Sequence, residues 1–378
     1  MPLSARKKTL VYSFTAIAGV FLVIETVLRI LGIPKPQEPQ GIEFTTSRGE
    51  AITLKKGRIR MGMSPFMVYR ILPNQRTANF SIDSNGFRGP SVDLSVRKDK
   101  RIFVIGGSAA FGLGAATDEV TFVGQLAQRH PSWQVVNAGV TGYLSGQELS
   151  YLVQKLIDYK PDVVVTFDGW NDLFIPWYNY ASIDGEFEVT GFREIEGQLI
   201  SNYMTQAYPG KSFIRFLLAL GGTTNTYNWV GGLVYRFIHA QKPRIAHRGS
   251  ENDPELFEKY LSNYISNIQK MAMICQSQGI RFILMLQPDL GLRQQRTEPE
   301  NNFLLHTNNY DGYPEEFSPL YRRFLDRVKT SPDLAPVEKI DTTQTARWLN
   351  TKETLFLDWV HLAPTGHIAV ADILDASL

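Results

Sequence analysis

The chain has 378 residues, 43% hydrophobic and 20% charged, which describes a folded protein with a substantial core rather than a disordered one. Its 39 Lys and Arg against 37 Asp and Glu leave a net charge of +2, which gives no reason to expect a nucleic-acid partner. A single cysteine, Cys275, excludes an intramolecular disulfide and any multi-cysteine zinc site.

Arg6, Lys7 and Lys8 precede a stretch without charge from Thr9 to Ile24, and apolar character continues to Ile33, interrupted by Glu25 and Arg29. That span approaches the ~20 residues needed to cross a bilayer. Glu25 and Arg29 are four apart, on one helical face and able to pair. The Ala16-Ile17-Ala18 triplet comes too early to end a signal-peptide apolar region, and no cysteine follows to accept a lipid. Residues 1–33 are therefore read as a cytoplasmic N-terminus and a transmembrane signal anchor (span 9–33), a buried N-terminal helix being the alternative. The basic residues before the span outnumber Lys35 and Arg48 after it, which puts the bulk of the chain on the exoplasmic side, periplasmic or extracellular. Pro34, Pro36 and Pro39 forbid a continuing helix, and residues 34–98 read as a stalk and lead-in. Within them, Asn85-Gly86-Phe87-Arg88-Gly89-Pro90 is a turn by composition.

From residue 99 to 378 the pattern is a regular α/β alternation. A buried strand at Ile102–Ile105 leads into Gly106-Gly107-Ser108. A helix follows around Thr121–Arg129, then a strand at Gln134–Asn137, a helix near Gln147–Leu156 and a strand at Asp162–Phe167. An aromatic-rich insertion, residues 174–250, breaks the rhythm. It resumes with a helix over Pro254–Gln278, a strand at Arg281–Leu286, a short strand near Val337–Ile340 and a last helix after Pro364. Strands separated by helices predict a parallel sheet covered on both faces, with chemistry at the carboxyl ends of the strands. Cys275 continues the series Tyr264, Ile268, Met271 at helical spacing and reads as core.

Four loops follow strand ends or the closing turn. Gly106-Gly107-Ser108 fits neither the G-x-G-x-x-G dinucleotide fingerprint nor a phosphate loop, since Leu113-Gly114 stand where Lys-Ser/Thr would be needed. The second loop is Asn137-Ala138-Gly139-Val140-Thr141-Gly142-Tyr143. The third, Gly169-Trp170-Asn171-Asp172, offers an amide side chain, and a glycine amide with an asparagine amide can stabilise an oxyanion. In the fourth, Asp358-Trp359-Val360-His361, the histidine can take a proton from a serine while the aspartate fixes its tautomer. His367 has no carboxylate nearby in sequence and reads as structural. The histidines at 130, 239, 247 and 306 show no metal spacing.

Ser108 in its Gly-Gly-Ser block, Gly142 five residues after Asn137, Asn171 in Gly-x-Asn-Asp, and Asp358-x-x-His361 together resemble the SGNH (GDSL-type) hydrolase superfamily, over roughly residues 99–378. The resemblance implies a flavodoxin-like three-layer α/β/α sandwich. It implies Ser108 as nucleophile, His361 as general base oriented by Asp358, and an oxyanion hole from the Ser108 amide, the Gly142 amide and the Asn171 side chain. No metal or organic cofactor is needed for that chemistry. Gly107 departs from the family's Gly-Asp-Ser-Leu motif, standing where the aspartate would be, and leaves the subfamily open. The activity implied is hydrolysis of a carboxylic ester (O-acyl group) of an envelope carbohydrate or lipid. The alternatives are an O-acyltransferase with the same triad and a catalytically silent member that binds a glycan or a partner protein. The sequence does not set the oligomeric state. The insertion's aromatic residues, from Phe174 and Trp177 to Tyr227 and Trp229, read mostly as its own core.

Overall fold

The computed structural model describes residues 19–27, 29–30, 42–45, 51–54, 59–64, 66–179, 254–306, 313, 315–344, 348 and 351–378. The chain divides into two units, Met1–Gln40 with Ile200–Ile245, and Gly41–Leu199 with Ala246–Leu378. In the first unit residues 19–27 and 29–30 are helical, and Arg29 pairs with Glu25 at 2.7 Å. Among the described residues no helix is long and apolar enough to cross a membrane. Residues 9–18, 28 and 31–33 of the predicted anchor lie outside them.

The second unit begins with three antiparallel hairpins: β1 (Ile42–Thr45) with β2 (Ala51–Leu54), β3 (Met61–Ser64) with β4 (Val68–Ile71), and β5 (Gln75–Arg76) with β6 (Ser81–Ile82). The stretch expected as stalk and lead-in thus contributes to the folded unit: Met67, Tyr69, Ile71, Phe80, Ile82 and Phe87 join its core. Strands of two to four residues carry too few positions to display a period of two, which is why the sequence does not announce them. The turn read at residues 85–90 is present, with Asp83 accepting from the amides of Asn85 (2.8 Å) and Phe87 (2.9 Å).

Five parallel strands form the main sheet: β7 (Lys100–Gly106), β8 (Trp133–Asn137), β9 (Val163–Asp168), β10 (Arg281–Leu286) and β11 (Glu338–Asp341), in the spatial order β11-β10-β9-β7-β8. Counted within the sheet this is 2-1-3-4-5, the flavodoxin-like order, whose reversal point lies between β7 and β9. The α-helices described in this second unit are α1 (Ser108–Phe111), α2 (Phe122–Arg129), α3 (Ser145–Tyr151), α4 (Trp170–Asn179), α5 (Pro254–Ser277), α6 (Glu298–His306), α7 (Phe317–Thr330) and α8 (Pro364–Asp375).

The strands are apolar on both sides because both faces are covered. Along β7, Phe103 and Ile105 point into one core with Phe257, Tyr260 and Ile268 of α5 and Phe324 of α7. Ile102 and Val104 point into the other, with Phe122 and Leu126 of α2 and Val370 and Leu374 of α8. Alternation along one strand therefore builds a three-layer sandwich. Cys275 is fully buried in the first core, and burial pushes its thiol up to about 12, so it is inert. Helices α6 and α7 go beyond the elements read from the sequence, although Phe317, Leu320, Tyr321, Phe324, Leu325 and Val328 of α7 are buried at helical spacing.

Candidate active site

Ser108 opens α1 directly after β7, at the reversal point of the sheet. Gly106 and Gly107 end the strand, and Ala109, Ala110 and Phe111 are buried behind the serine, so only Ser108 in α1 keeps partial exposure. Its hydroxyl Oγ lies 2.8 Å from Nε2 of His361. His361 stands in a short β-like turn, where the Leu357 amide donates to the His361 carbonyl at 2.8 Å and the Ala363 amide to the Leu355 carbonyl at 2.8 Å. Asp358 closes that turn. Its Oδ1 accepts from the amides of Val360 (3.0 Å) and His361 (2.7 Å), leaving Oδ2 to meet Nδ1 of His361 at 2.6 Å. The Asp-x-x-His spacing has this physical content: one carboxylate oxygen holds the turn and the other holds the ring. Burial alone would raise the Asp358 carboxyl, but the imidazole and the two amides outweigh it and hold it below its ordinary value.

Asn171 sits in the first turn of α4, after β9. Its Nδ2 donates to the carbonyl of Tyr143 at 2.9 Å, tying this loop to the one that carries Gly142. The same nitrogen lies 2.4 Å from where a Cβ on residue 107 would stand. Glycine at 107 therefore lets the Asn171 amide close over the backbone beside Ser108, and any side chain there would have to displace it. Gly142 has φ +80°, a conformation that disfavours any side chain. Gly139 is the packing glycine of the same loop, since a Cβ there would come within 2.3 Å of the Phe111 amide.

No protein-family model matches the sequence, and no curated protein matches it. Among solved structures the chain is similar to a lipase/acylhydrolase from Enterococcus faecalis, at 15% identity and a TM-score of 0.39, covering 74% of this chain and 94% of that one. It is also similar to an acetylxylan esterase from Geobacillus stearothermophilus (15% identity, TM-score 0.36, 74% and 94% covered) and to a GDSL-like lipase from Bacteroides thetaiotaomicron (13%, 0.33, 75% and 91%).

Several residues that hold the site together were given no structural role by the sequence. Asn137 donates through Nδ2 to the carbonyls of Ala110 (3.1 Å) and Phe111 (3.2 Å) and accepts from the Gly139 amide, fixing the Gly142 loop to α1. Asp289, buried after β10, accepts from Trp170 Nε1 (2.8 Å), Ser318 Oγ (2.8 Å) and Tyr313 Oη (3.1 Å). The neighbouring Leu290 amide donates to the Trp359 carbonyl at 2.8 Å, so the loop after β10 anchors the His361 turn as well as α4. Phe174 and Trp177, expected in the insertion's own core, are buried in α4, where Phe174 stacks on Trp170 at 4.0 Å. The rest of the aromatic insertion, from residue 180, lies outside the described residues, as do His239 and His247. His367 is buried and neutral: its Nδ1 accepts from the Phe122 amide at 3.3 Å, and burial, then Arg88, pushes its pKa down to about 3.

Behind Asn171 three carboxyl groups, Glu148, Asp168 and Asp172, are buried together. Asp172 accepts from the amide (3.1 Å) and hydroxyl (2.5 Å) of Ser145, and Tyr264 donates to Asp168 at 2.5 Å. The Glu148 oxygens find no hydrogen-bond partner among the described residues. Burial, then repulsion from Asp168, raises Asp172 to about 7 and Glu148 well above its ordinary value. The folded state thus keeps protons that the unfolded chain releases near pH 4. The stability they represent is complete below about pH 4 and falls above it at about 1.4 kcal/mol per pH unit for each proton, the Asp172 share levelling off as pH rises through 7. His367 acts oppositely but only below its unfolded value near 6.5. Between pH 6.5 and 8 the unfolding free energy should therefore fall. Glu148→Gln, which keeps the side chain's shape and removes its titration, should make the fall shallower by up to one proton. Denaturant unfolding at several pH values measures both slopes, and an unchanged slope would dismiss a proton retained at Glu148.

Proposed function

We propose that this chain is a serine esterase of the SGNH (GDSL-type) superfamily that removes an O-acyl group from an envelope carbohydrate or lipid. The observation that carries the reading is the unbroken relay from Ser108 Oγ through His361 to Asp358, at 2.8 and 2.6 Å, beside the Asn171 amide. In the reaction, Ser108 Oγ attacks the ester carbonyl while its proton passes to His361 Nε2. Asp358 stays ionised and stabilises the imidazolium. The amides of Ser108 and Gly142 and the Asn171 side chain receive the oxyanion. His361 returns the proton to the departing alkoxide, and water then repeats the sequence on the acyl-serine. The envelope substrate and the exoplasmic site of action rest on the basic residues before the apolar run 9–33 and on that run as an anchor.

The test uses the full chain in detergent. A fluorophosphonate probe should label Ser108, located by mass spectrometry, and acid should be released from acetyl, longer-acyl or acetyl-xylan-type esters. Absence of both would end the reading. Asn171→Ala should cost ~3 kcal/mol of transition-state stabilisation, read as kcat/KM. A loss under about threefold would reduce Asn171 to shaping its loop.

A further inference from the structure

The oxyanion donor assigned to Gly142 is the N–H of the Thr141–Gly142 peptide, and the carbonyl of that same peptide has a partner from a distant part of the chain. Tyr69, on β4, donates its hydroxyl to the Thr141 carbonyl at 2.9 Å. The tyrosine is buried, and its ring meets that of Tyr143 edge to face at 5.3 Å. Tyr143 answers by donating its own hydroxyl to the Tyr69 carbonyl at 2.6 Å. Gln147 extends the connection, its Nε2 donating to the Met67 carbonyl at 3.0 Å and its Oε1 accepting from the Leu144 amide at 3.1 Å. The Tyr69 hydroxyl lies 2.8 Å from where a Cβ on residue 142 would stand, so the contact also demands glycine there.

A second, independent observation concerns the residue before Tyr69. Val68 has φ +64°, a left-handed conformation that is rare and costly for a β-branched side chain. Such strain persists only where the surroundings impose it. Here it occurs where β4 starts, one residue before the side chain that reaches the oxyanion loop.

We propose that Tyr69 is a positioning residue of the oxyanion hole: its hydroxyl fixes and polarises the Thr141–Gly142 peptide so that the N–H meets the developing charge already aligned. The inference rests on the serine-esterase reading above and deepens it. A hydrogen bond accepted by a peptide carbonyl draws electron density from its amide and makes the N–H a stronger donor. It also holds the peptide plane, so no reorganisation is needed as the tetrahedral intermediate forms. Burial raises the Tyr69 hydroxyl well above its ordinary value, which keeps it a donor.

The experiment compares the full-length native chain with Tyr69→Phe, which keeps the ring and removes the donor. Aryl-ester turnover should fall about tenfold, a fraction of the cost of deleting an oxyanion donor outright. KM and the pH midpoints should be unchanged. Affinity for an arylboronic acid, which forms a tetrahedral anionic adduct on serine, should weaken by the same factor. Tyr143→Phe is the structural comparison, because it removes a bond between the same two segments without touching the Thr141–Gly142 peptide. A kcat within twofold of native, a change confined to KM, a shifted pH profile, boronate affinity that does not follow kcat, or equal losses in the two variants would each overturn the proposal. A native chain that neither hydrolyses the ester nor binds the boronate would instead overturn the esterase reading, and this inference with it.

Discussion

A Ser108→Ala chain is expected to turn over a short-chain aryl ester at least ~10⁴ times more slowly than the native one, while its melting temperature stays near native. In the proposed reaction this hydroxyl forms the covalent bond, and it stands 2.8 Å from Nε2 of His361. Asp358→Asn should cost about 10⁴-fold in kcat, and the geometry says why. Oδ1 of Asp358 accepts from two backbone amides, so an asparagine must keep its carbonyl oxygen there and turn its NH₂ toward Nδ1 of His361. That forces the ring proton onto Nε2, which then cannot accept from Ser108. The double variant should be no slower than Ser108→Ala alone, because the three residues act as one unit. Near-native turnover in the serine variant, or additive losses in the double, would contradict the relay as the reactive machinery.

The second large effect is on stability. Arg88→Ala should lower the unfolding free energy by ~3–5 kcal/mol, measured by denaturant titration. The Arg88 side chain is 2% exposed and pairs with Asp118 at 2.8 Å, itself 12% exposed. Its guanidinium also donates to the carbonyls of Phe111 (2.9 Å), Gly112 (2.6 Å), Asn79 (3.1 Å) and Thr117 (3.3 Å). Alanine would leave a nearly buried carboxylate without its cation and would unpair carbonyls at the end of α1, the helix that begins with Ser108. Arg88→Lys should recover only part of the loss, because an ammonium cannot span acceptors set in a planar fork. A loss below about 1 kcal/mol in the alanine variant would mean that solvent takes over these roles.

Much of this arrangement was legible in the chain. The strands at 102–105, 134–137, 162–167 and 281–286 were readable because a parallel sheet covered on both faces demands unbroken apolar runs, and those runs lie within or overlap β7 to β10. Ser108 and Asp358-x-x-His361 were legible because their local geometry is short-range: a glycine pair ending a strand, and a carboxylate that accepts from the amide three residues on. The hairpins from Met61 to Ile82 were not, since two- to four-residue strands leave no period to count. Helix α7 was readable in principle, because its apolar residues recur at helical spacing.

The choice of Gly142, whose φ is +80°, came from the family resemblance; the sequence by itself determined the α/β order and the serine, aspartate and histidine that stand at its loops. These follow from local chemistry: backbone freedom, apolar periodicity and side chains within three residues of each other. Only the tertiary structure decided that Arg88 supports α1, that Asp289 holds the Asn171 helix while the Leu290 amide holds the His361 turn, and that Tyr69 reaches the Thr141 carbonyl 72 residues away. Those contacts join residues brought together by the sheet order and the hairpins that pack against it. A buried hydrogen bond across such a distance leaves no periodic trace in the chain that makes it.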